Sequence, residues 1–506
     1  MSDRSHGYDV SVGYSYTFYR EMAPDWLDFC VRQAGVGVAR AEGPFRYLEL
    51  GAGQGLGLCL LAASNPAAEF VGVDFQHEHT EHAESLARAA GLTNVRFVEA
   101  DFAELAVAWP DDFGTFDYVA LHGVLSWVSA PLREAVMQCI SQGTHPGSIV
   151  YAGYNSQPSW LGMVPFQHIA HLIKETTGAP GATVIDQSIK LFDRLRSVNA
   201  PGFQVLPALT ARLQTLKEQD SSYAIHEYLN RHWQPLWHSE VSRGFAQVGL
   251  DFVGSATMAD NLLPDILGPQ LCGAIIEQPT EELRQDVQDF ALNQSFRRDI
   301  FCRRPARSAK SGPDERLCLL APPAPDATLT VQTSFGTASL DQRSYGPIVE
   351  ALTQQPMSIE EIAARHRSPV GDVRQVALLL LESNAIGIVA AGHPEPEAAQ
   401  RINAVIARAV CDGAPYEHVA AASLGSAVRI TQIELLLIDS WLKLDHKSDV
   451  SALATAVGQR LNTLGQKLYH QGHVVGEAEE AGQLQVLASA FLTDNLPLRR
   501  QQGVLQ

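Results

Sequence analysis

Between Arg46 and Asn155 the chain repeats one pattern: a short apolar run, a turn, then a longer amphipathic stretch. The apolar runs are RYLEL (46–50), FVGVDF (70–75), VRFVEADF (95–102), FDYVALHGV (116–124) and SIVYAGYN (148–155). Strands with so few alternating polar residues need cover on both faces, which a parallel sheet flanked by helices provides. The pattern predicts a doubly wound, Rossmann-like α/β fold, in which ligands bind at the carboxyl ends of the strands.

The rhythm breaks from Ser156 to about Pro235, which reads as mainly helical. HSEVSRGFAQVGL (238–250) then reads as a helix, and DFVGSA (251–256) and SFRRDIFCR (295–303) as strands. The sheet is thus expected to resume after a helical cap inserted over 156–235. An N-terminal arm over residues 1–45 precedes a catalytic domain over 46–305. Proline and small or charged residues between 306 and 327 mark a linker. A mainly helical C-terminal domain over 328–506 follows, and its segment 345–392 resembles a winged helix-turn-helix.

The formal charge of −19 and the scarcity of basic runs make nucleic acid and anionic membrane poor partners. Seven cysteines without a CxxC pair suit a reducing compartment. The polar start MSDRSHGYDV lacks the apolar core of a signal peptide, and no apolar run approaches the ~20 residues of a membrane helix. A cytoplasmic location is the expectation.

Glu49-Leu50-Gly51-Ala52-Gly53-Gln54-Gly55 lies where the first strand gives way to a helix. Glycines there let the backbone turn tightly and approach a ligand. A dinucleotide fingerprint would need a sixth-position glycine where this chain has Leu56, and no GK[ST] follows for a phosphate loop. Glu49 instead suits a cationic ligand without a pyrophosphate, such as S-adenosylmethionine with its sulfonium and ammonium groups. Asp74, followed by Phe75, closes the second strand and could accept hydrogen bonds from a ribose. Asp101 closes the third run, where it could bond an adenine amino group while Phe102 covers the ring. His122 closes the fourth. The predicted cofactor set is therefore Glu49, Gly51, Gly53, Gly55, Asp74, Phe75, Asp101, Phe102 and His122.

LELGAGQG, VGVDF, VEADF and FDYVALHGV, taken as a set, resemble the successive motifs of class I S-adenosylmethionine-dependent methyltransferases. YDVSVGYSYTFY, HGVLSWV, YAGYNSQPSW, FRRDIFCR and above all YAIHEYLNRHWQPLWHSEV (223–241) resemble bacterial methyltransferases with a regulatory domain, a group that includes rickettsial protein-lysine methyltransferases. The resemblance implies a homodimer with a middle domain and a divergent C-terminal domain.

Methyl transfer from a sulfonium is an in-line displacement that asks mainly for orientation and exclusion of water. Aromatic groups around an amine acceptor suit that task. Candidates are Tyr14, Tyr16 and Tyr19 of the arm, Trp127, Tyr154, Asn155 and Trp160, with His122 as a base for a hydroxyl acceptor. The acceptor is expected to be a protein side chain such as lysine. The alternatives are a small-molecule O- or N-methyltransferase and a cofactor-sensing protein without catalysis. No metal site is expected. His77, His79 and His82 read as part of a solvated helix, and His226-Glu227 lacks the second histidine of HExxH because residue 230 is Asn. The arginines at 297, 298, 303, 304 and 307 are concentrated enough to hold an acidic partner, but half of them read as alternating into a strand and its solvated edge.

Overall fold

A computed structural model describes residues 16–37, 43–218, 221–307, 315–321, 323, 327–392, 394–444, 449–470 and 473–506. Seven strands form its central sheet: β1 (Arg46–Leu50), β2 (Glu69–Asp74), β3 (Val95–Glu99), β4 (Phe116–His122), β5 (Thr144–Asn155), β6 (Leu250–Ser255) and β7 (Phe296–Arg303). Their order is β3-β2-β1-β4-β5-β7-β6. The first five are parallel to their neighbours, and β7 runs antiparallel between β5 and β6. The chain reverses direction in the sheet between β1 and β4, the point where open α/β folds place their ligands.

Successive strand residues enter opposite cores, as the twofold repeat of a strand requires. Tyr47, Phe70, Tyr118 and Tyr151 face one layer, and Leu48, Val71, Val119 and Val150 the other. The first layer holds α1 (Pro24–Gln33) and α2 (Leu56–Ser64), and it continues without a break into the C-terminal region. Ser64 Oγ donates to Ser426 O at 2.6 Å and Asn65 Nδ2 to Gly425 O at 2.8 Å, fastening α2 to a hairpin of strands His418–Ala421 and Ser426–Arg429. The second layer holds α4 (Phe102–Val107) and α6 (Ala130–Gly143).

Between β5 and β6 stand helices Val164–Thr177, Gly181–Ser197, Pro207–Glu218 and Ser221–Tyr228. They enclose a third core of their own, built on Trp160, Phe166, Phe192, Tyr228 and Trp233. The winged-helix resemblance corresponds to helices Gln342–Gln354, Ile359–His366 and Val370–Glu382, with strand Ile386–Ile388. That strand pairs with Leu317–Leu319, and Leu317 also bridges Met357. The sequence pattern did not indicate the hairpin Leu329–Thr333/Gly336–Leu340 that precedes these helices.

Two expectations need correction. Strand β7 has no solvated edge: Arg297 is buried and paired with Asp289 and Asp299, because β6 covers the side that was expected to face water. The helix His77–Ala89, α3, is solvated on one face only, with His79 buried and His82 half-buried against the glycine loop. Among the described residues no helix is long and apolar enough to cross a membrane, and no group of His, Cys, Asp and Glu is arranged to hold a metal.

Candidate functional site

The turn after β1 is shaped by its glycines. Gly51 and Gly55 hold φ near +81° and +71°, which side chains rarely adopt. A Cβ on Gly51 would stand 2.6 Å from Val124 Cγ2, and one on Gly55 2.2 Å from Ala83 Cβ, so neither can carry a side chain. The amides of Gly51 and Ala52 donate to Val73 O at 2.8 and 3.0 Å, binding the turn to the end of β2.

Asp74 is the last residue of β2 and braces the same turn. One of its oxygens accepts from Gly53 N at 2.8 Å, and the other from Gln76 N at 3.0 Å, with His79 Nδ1 3.2 Å away. Asp101 lies two residues beyond the end of β3 rather than within it, because the strand stops at Glu99. There it caps α4, accepting from Ala103 N at 2.7 Å. An apolar side chain at that position would leave the first amides of the helix without this partner.

His122 ends β4. Its Nδ1 lies 2.8 Å from Tyr151 Oη, and Tyr19 stacks on its ring at 3.7 Å between centroids. Burial, aided by the Arg298 charge, pushes its imidazole well below the usual range, so the ring is neutral. Burial, aided by repulsion from Asp74, pushes the Glu49 carboxyl up to about 8.

Two adjoining cavities meet at Gly51, Gly53 and His122. The first is walled by Asp74, Phe75, Asp101, Phe102 and Trp127. The second lies over the glycine loop and adds Glu49, Gly55 and Tyr19. All nine residues of the predicted cofactor set therefore line one or other cavity.

The acceptor candidates scatter. Trp127 lines the first cavity. Tyr16 packs against His82 and Tyr416, at 5.0 and 5.4 Å, on the C-terminal side of the loop. Tyr14 lies outside the described residues. Tyr154 does not face either cavity: it sits on the opposite side of β5 from Tyr151, fully buried, with its hydroxyl on Asp299. Trp160 belongs to the core of the cap and donates to Ser295 O. His79 was missed, as were Gln76, Val124, Val128 and Leu132, all on the first cavity. The buried Nε2 of His79 has no hydrogen-bond partner among the described residues, and spacing alone gave no sign that it turns inward.

Two family models match the chain, one described as a methyltransferase domain over residues 43–188 and one as a predicted methyltransferase regulatory domain over residues 220–303. The chain is 28% identical over 512 residues to an uncharacterized protein of Synechocystis sp., covering 99% of each. It is 26% identical over 261 residues to an uncharacterized protein of Rickettsia prowazekii, covering 51% of this chain and 46% of that one. Its fold matches PKMT2 from Rickettsia typhi, solved in complex with AdoHcy, at a TM-score of 0.70 and 16% identity over 96% of this chain and 99% of that one.

The strand order, the glycine turn and the family match over residues 43–188 define a methyltransferase domain of class I fold. A region matched to a predicted methyltransferase regulatory domain follows it, and methyltransferase domains of this class take S-adenosylmethionine as methyl donor. The cavities suit such a group: carboxylates of Glu49 and Asp74 answer its positive charge, Phe75 and Phe102 offer apolar surface, and His79 Nε2 leaves a polar atom to be satisfied.

Proposed function

We propose that the chain methylates a side chain of another protein, an amine such as that of lysine. The observation that supports this reading is a third cavity. It lies open between the arm, Arg298 of β7 and the C-terminal region, and it shares Phe18 and Tyr19 with the cavity over the glycine loop. A small-molecule enzyme would be better served by an enclosed chamber under the cap, but the cap's interior is filled by its own aromatic side chains. A wide cleft suits a chain segment, and a formal charge of −19 favours a lysine-rich one.

In this reading Asp101 and Phe102 hold the adenine, Asp74 braces the loop and faces the ribose, and Glu49 draws the ammonium group. S-adenosylmethionine supplies an electrophilic methyl carbon. Tyr19, His122 and Trp127 close the space around the reacting atoms against water, where orientation contributes more than proton transfer. The likeness of fold to PKMT2 accords with this choice of acceptor. The reading also includes a cytoplasmic homodimer, an arm over residues 1–45, a cap over 156–235, a linker over 306–327 and a separate role for 328–506. Amino-acid analysis of acceptor protein labelled from methyl-tritiated S-adenosylmethionine tests the acceptor atom. Methyl-lysine supports the proposal, and label lost on mild alkaline hydrolysis, the mark of a methyl ester, contradicts it.

A further inference from the structure

One wall of the first cavity is a short helical turn bonded both to the end of β5 and to a segment beyond the methyltransferase sheet. Val124, Trp127 and Val128 face the cavity from α5 (Val124–Trp127) and the residue after it. Trp127 lies outside the strands of the sheet. Its carbonyl accepts from Asn230 Nδ2 at 3.0 Å, and the carbonyl of Ser126 accepts from Gln234 N at 2.8 Å. Ser126 Oγ in turn accepts from Asn155 N at 2.8 Å.

The partners are themselves fixed. Asn230 is fully buried, with Oδ1 accepting from His232 N at 3.1 Å. Asn155 Nδ2 donates to Glu227 Oε1 at 2.6 Å, and Trp233 Nε1 donates to the same oxygen at 2.9 Å. Leu236 N donates to Asn155 O at 2.9 Å. Arg133 closes the ring, donating to Gln234 Oε1 at 2.7 Å and to Val128 O at 2.9 Å. Every residue from 227 to 236 in this set lies in the segment matched to the regulatory domain.

We infer that residues 227–236 are a clamp that positions the Trp127 wall of the cofactor cavity, with Asn230 as its main positioning residue. The regulatory region thereby sets cofactor affinity without touching the cofactor. Buried hydrogen bonds confer such control because a donor removed there leaves its partner carbonyl unsatisfied, and the loop must shift to recover a bond. The inference rests on the reading of this cavity as the cofactor's.

The test is isothermal titration of S-adenosylhomocysteine into the full chain and its variants, beside their thermal midpoints. Asn230→Asp keeps the shape but sets an acceptor against Trp127 O, and it is expected to raise Kd about tenfold or more. Glu227→Leu is expected to act in the same direction, whereas Glu227→Gln, which keeps an acceptor for Asn155 and Trp233, stays within about threefold. Arg133→Met, at a half-buried site, provides a milder variant should Asn230→Asp fail to fold, with Kd raised about threefold. Phe192→Leu loosens the cap's core without touching these bonds and is expected to lower the midpoint with Kd unchanged. Kd unchanged in the Asn230, Glu227→Leu and Arg133 variants, while Asp74→Ala binds weakly, overturns the clamp. Kd unchanged in Asp74→Ala as well removes the cavity assignment on which the clamp rests. A Kd that follows the midpoint in every variant, Phe192→Leu included, reduces the clamp to general stability and also overturns it.

Discussion

The hydroxyl of Tyr151 lies 2.8 Å from Nδ1 of His122, and the charge of Arg298 acts on both groups. Tyr19 stacks on the same ring at 3.7 Å between centroids, so the imidazole is held from two sides.

His122 is therefore held in place as a neutral ring rather than poised as a general base. Burial and the Arg298 charge keep its imidazole well below the usual range, so no ascending limb near the ordinary histidine value is expected in the rate. His122→Gln, which keeps a neutral polar side chain, is expected to lower kcat by less than about tenfold, against ~10²–10⁴ for loss of a general base. A pH–rate profile of both proteins checks this. An ascending limb near pH 6.5 that the variant abolishes would show a base after all.

Glu49 should make cofactor binding depend on pH. Its carboxyl is pushed up to about 8, so in the free protein it is largely protonated below that value. A cationic ligand favours the ionised form and lowers its pKa, so binding releases a proton there. Affinity is thus lost as pH falls below about 8, by up to roughly tenfold per pH unit until the pKa of the bound state is reached. Titrations from pH 6 to 9 in the native chain and in Glu49→Gln separate this effect from titration of the cofactor itself. The difference between the two curves should rise with pH and level off near 8.

Two glycines with similar backbone angles should respond differently to alanine. Gly55 and Gly178 both hold φ above +60°, but a Cβ on Gly55 meets Ala83 at 2.2 Å whereas one on Gly178 meets nothing within 4 Å. Gly178→Ala should cost about 1 kcal/mol from backbone strain alone. Gly55→Ala should cost about 2–4 kcal/mol, adding overpacking to strain, and should abolish cofactor binding. Denaturant unfolding of both variants checks the order.

Arg297 should be structurally indispensable. It is buried between Asp289 and Asp299, and its charge together with His238 holds the Asp299 carboxyl below the usual range. Arg297→Met leaves both carboxylates uncompensated and should cost about 3–5 kcal/mol at neutral pH. The Asp299 contribution is present above its unfolded pKa of ~3.9 and is lost as pH falls through its folded value. The gap between native and variant should therefore narrow in acid, as denaturant unfolding at pH 7 and below pH 4 would show.

The sheet was readable because its strands are nearly continuous apolar runs, and the cofactor loop because Gly51 and Gly55 have few alternatives at those angles. What escaped the sequence depended on tertiary contact. His79 reads as one of several polar residues on a helix, and only its approach to Asp74 turns it inward. Tyr154 was placed at the acceptor site from its position after an apolar strand, but one residue of register decides which face of β5 it occupies. The hairpin at 329–340 alternates weakly and lacks an Asn-Gly turn, so its short strands carry little signal.

The most direct test is transfer of label from S-adenosylmethionine into host-cell lysate, separated into protein and small-molecule fractions, with Asp74→Ala alongside. Label in a protein band that disappears with Asp74→Ala is the predicted result. Label confined to small molecules, or protein label untouched by Asp74→Ala, would contradict the account.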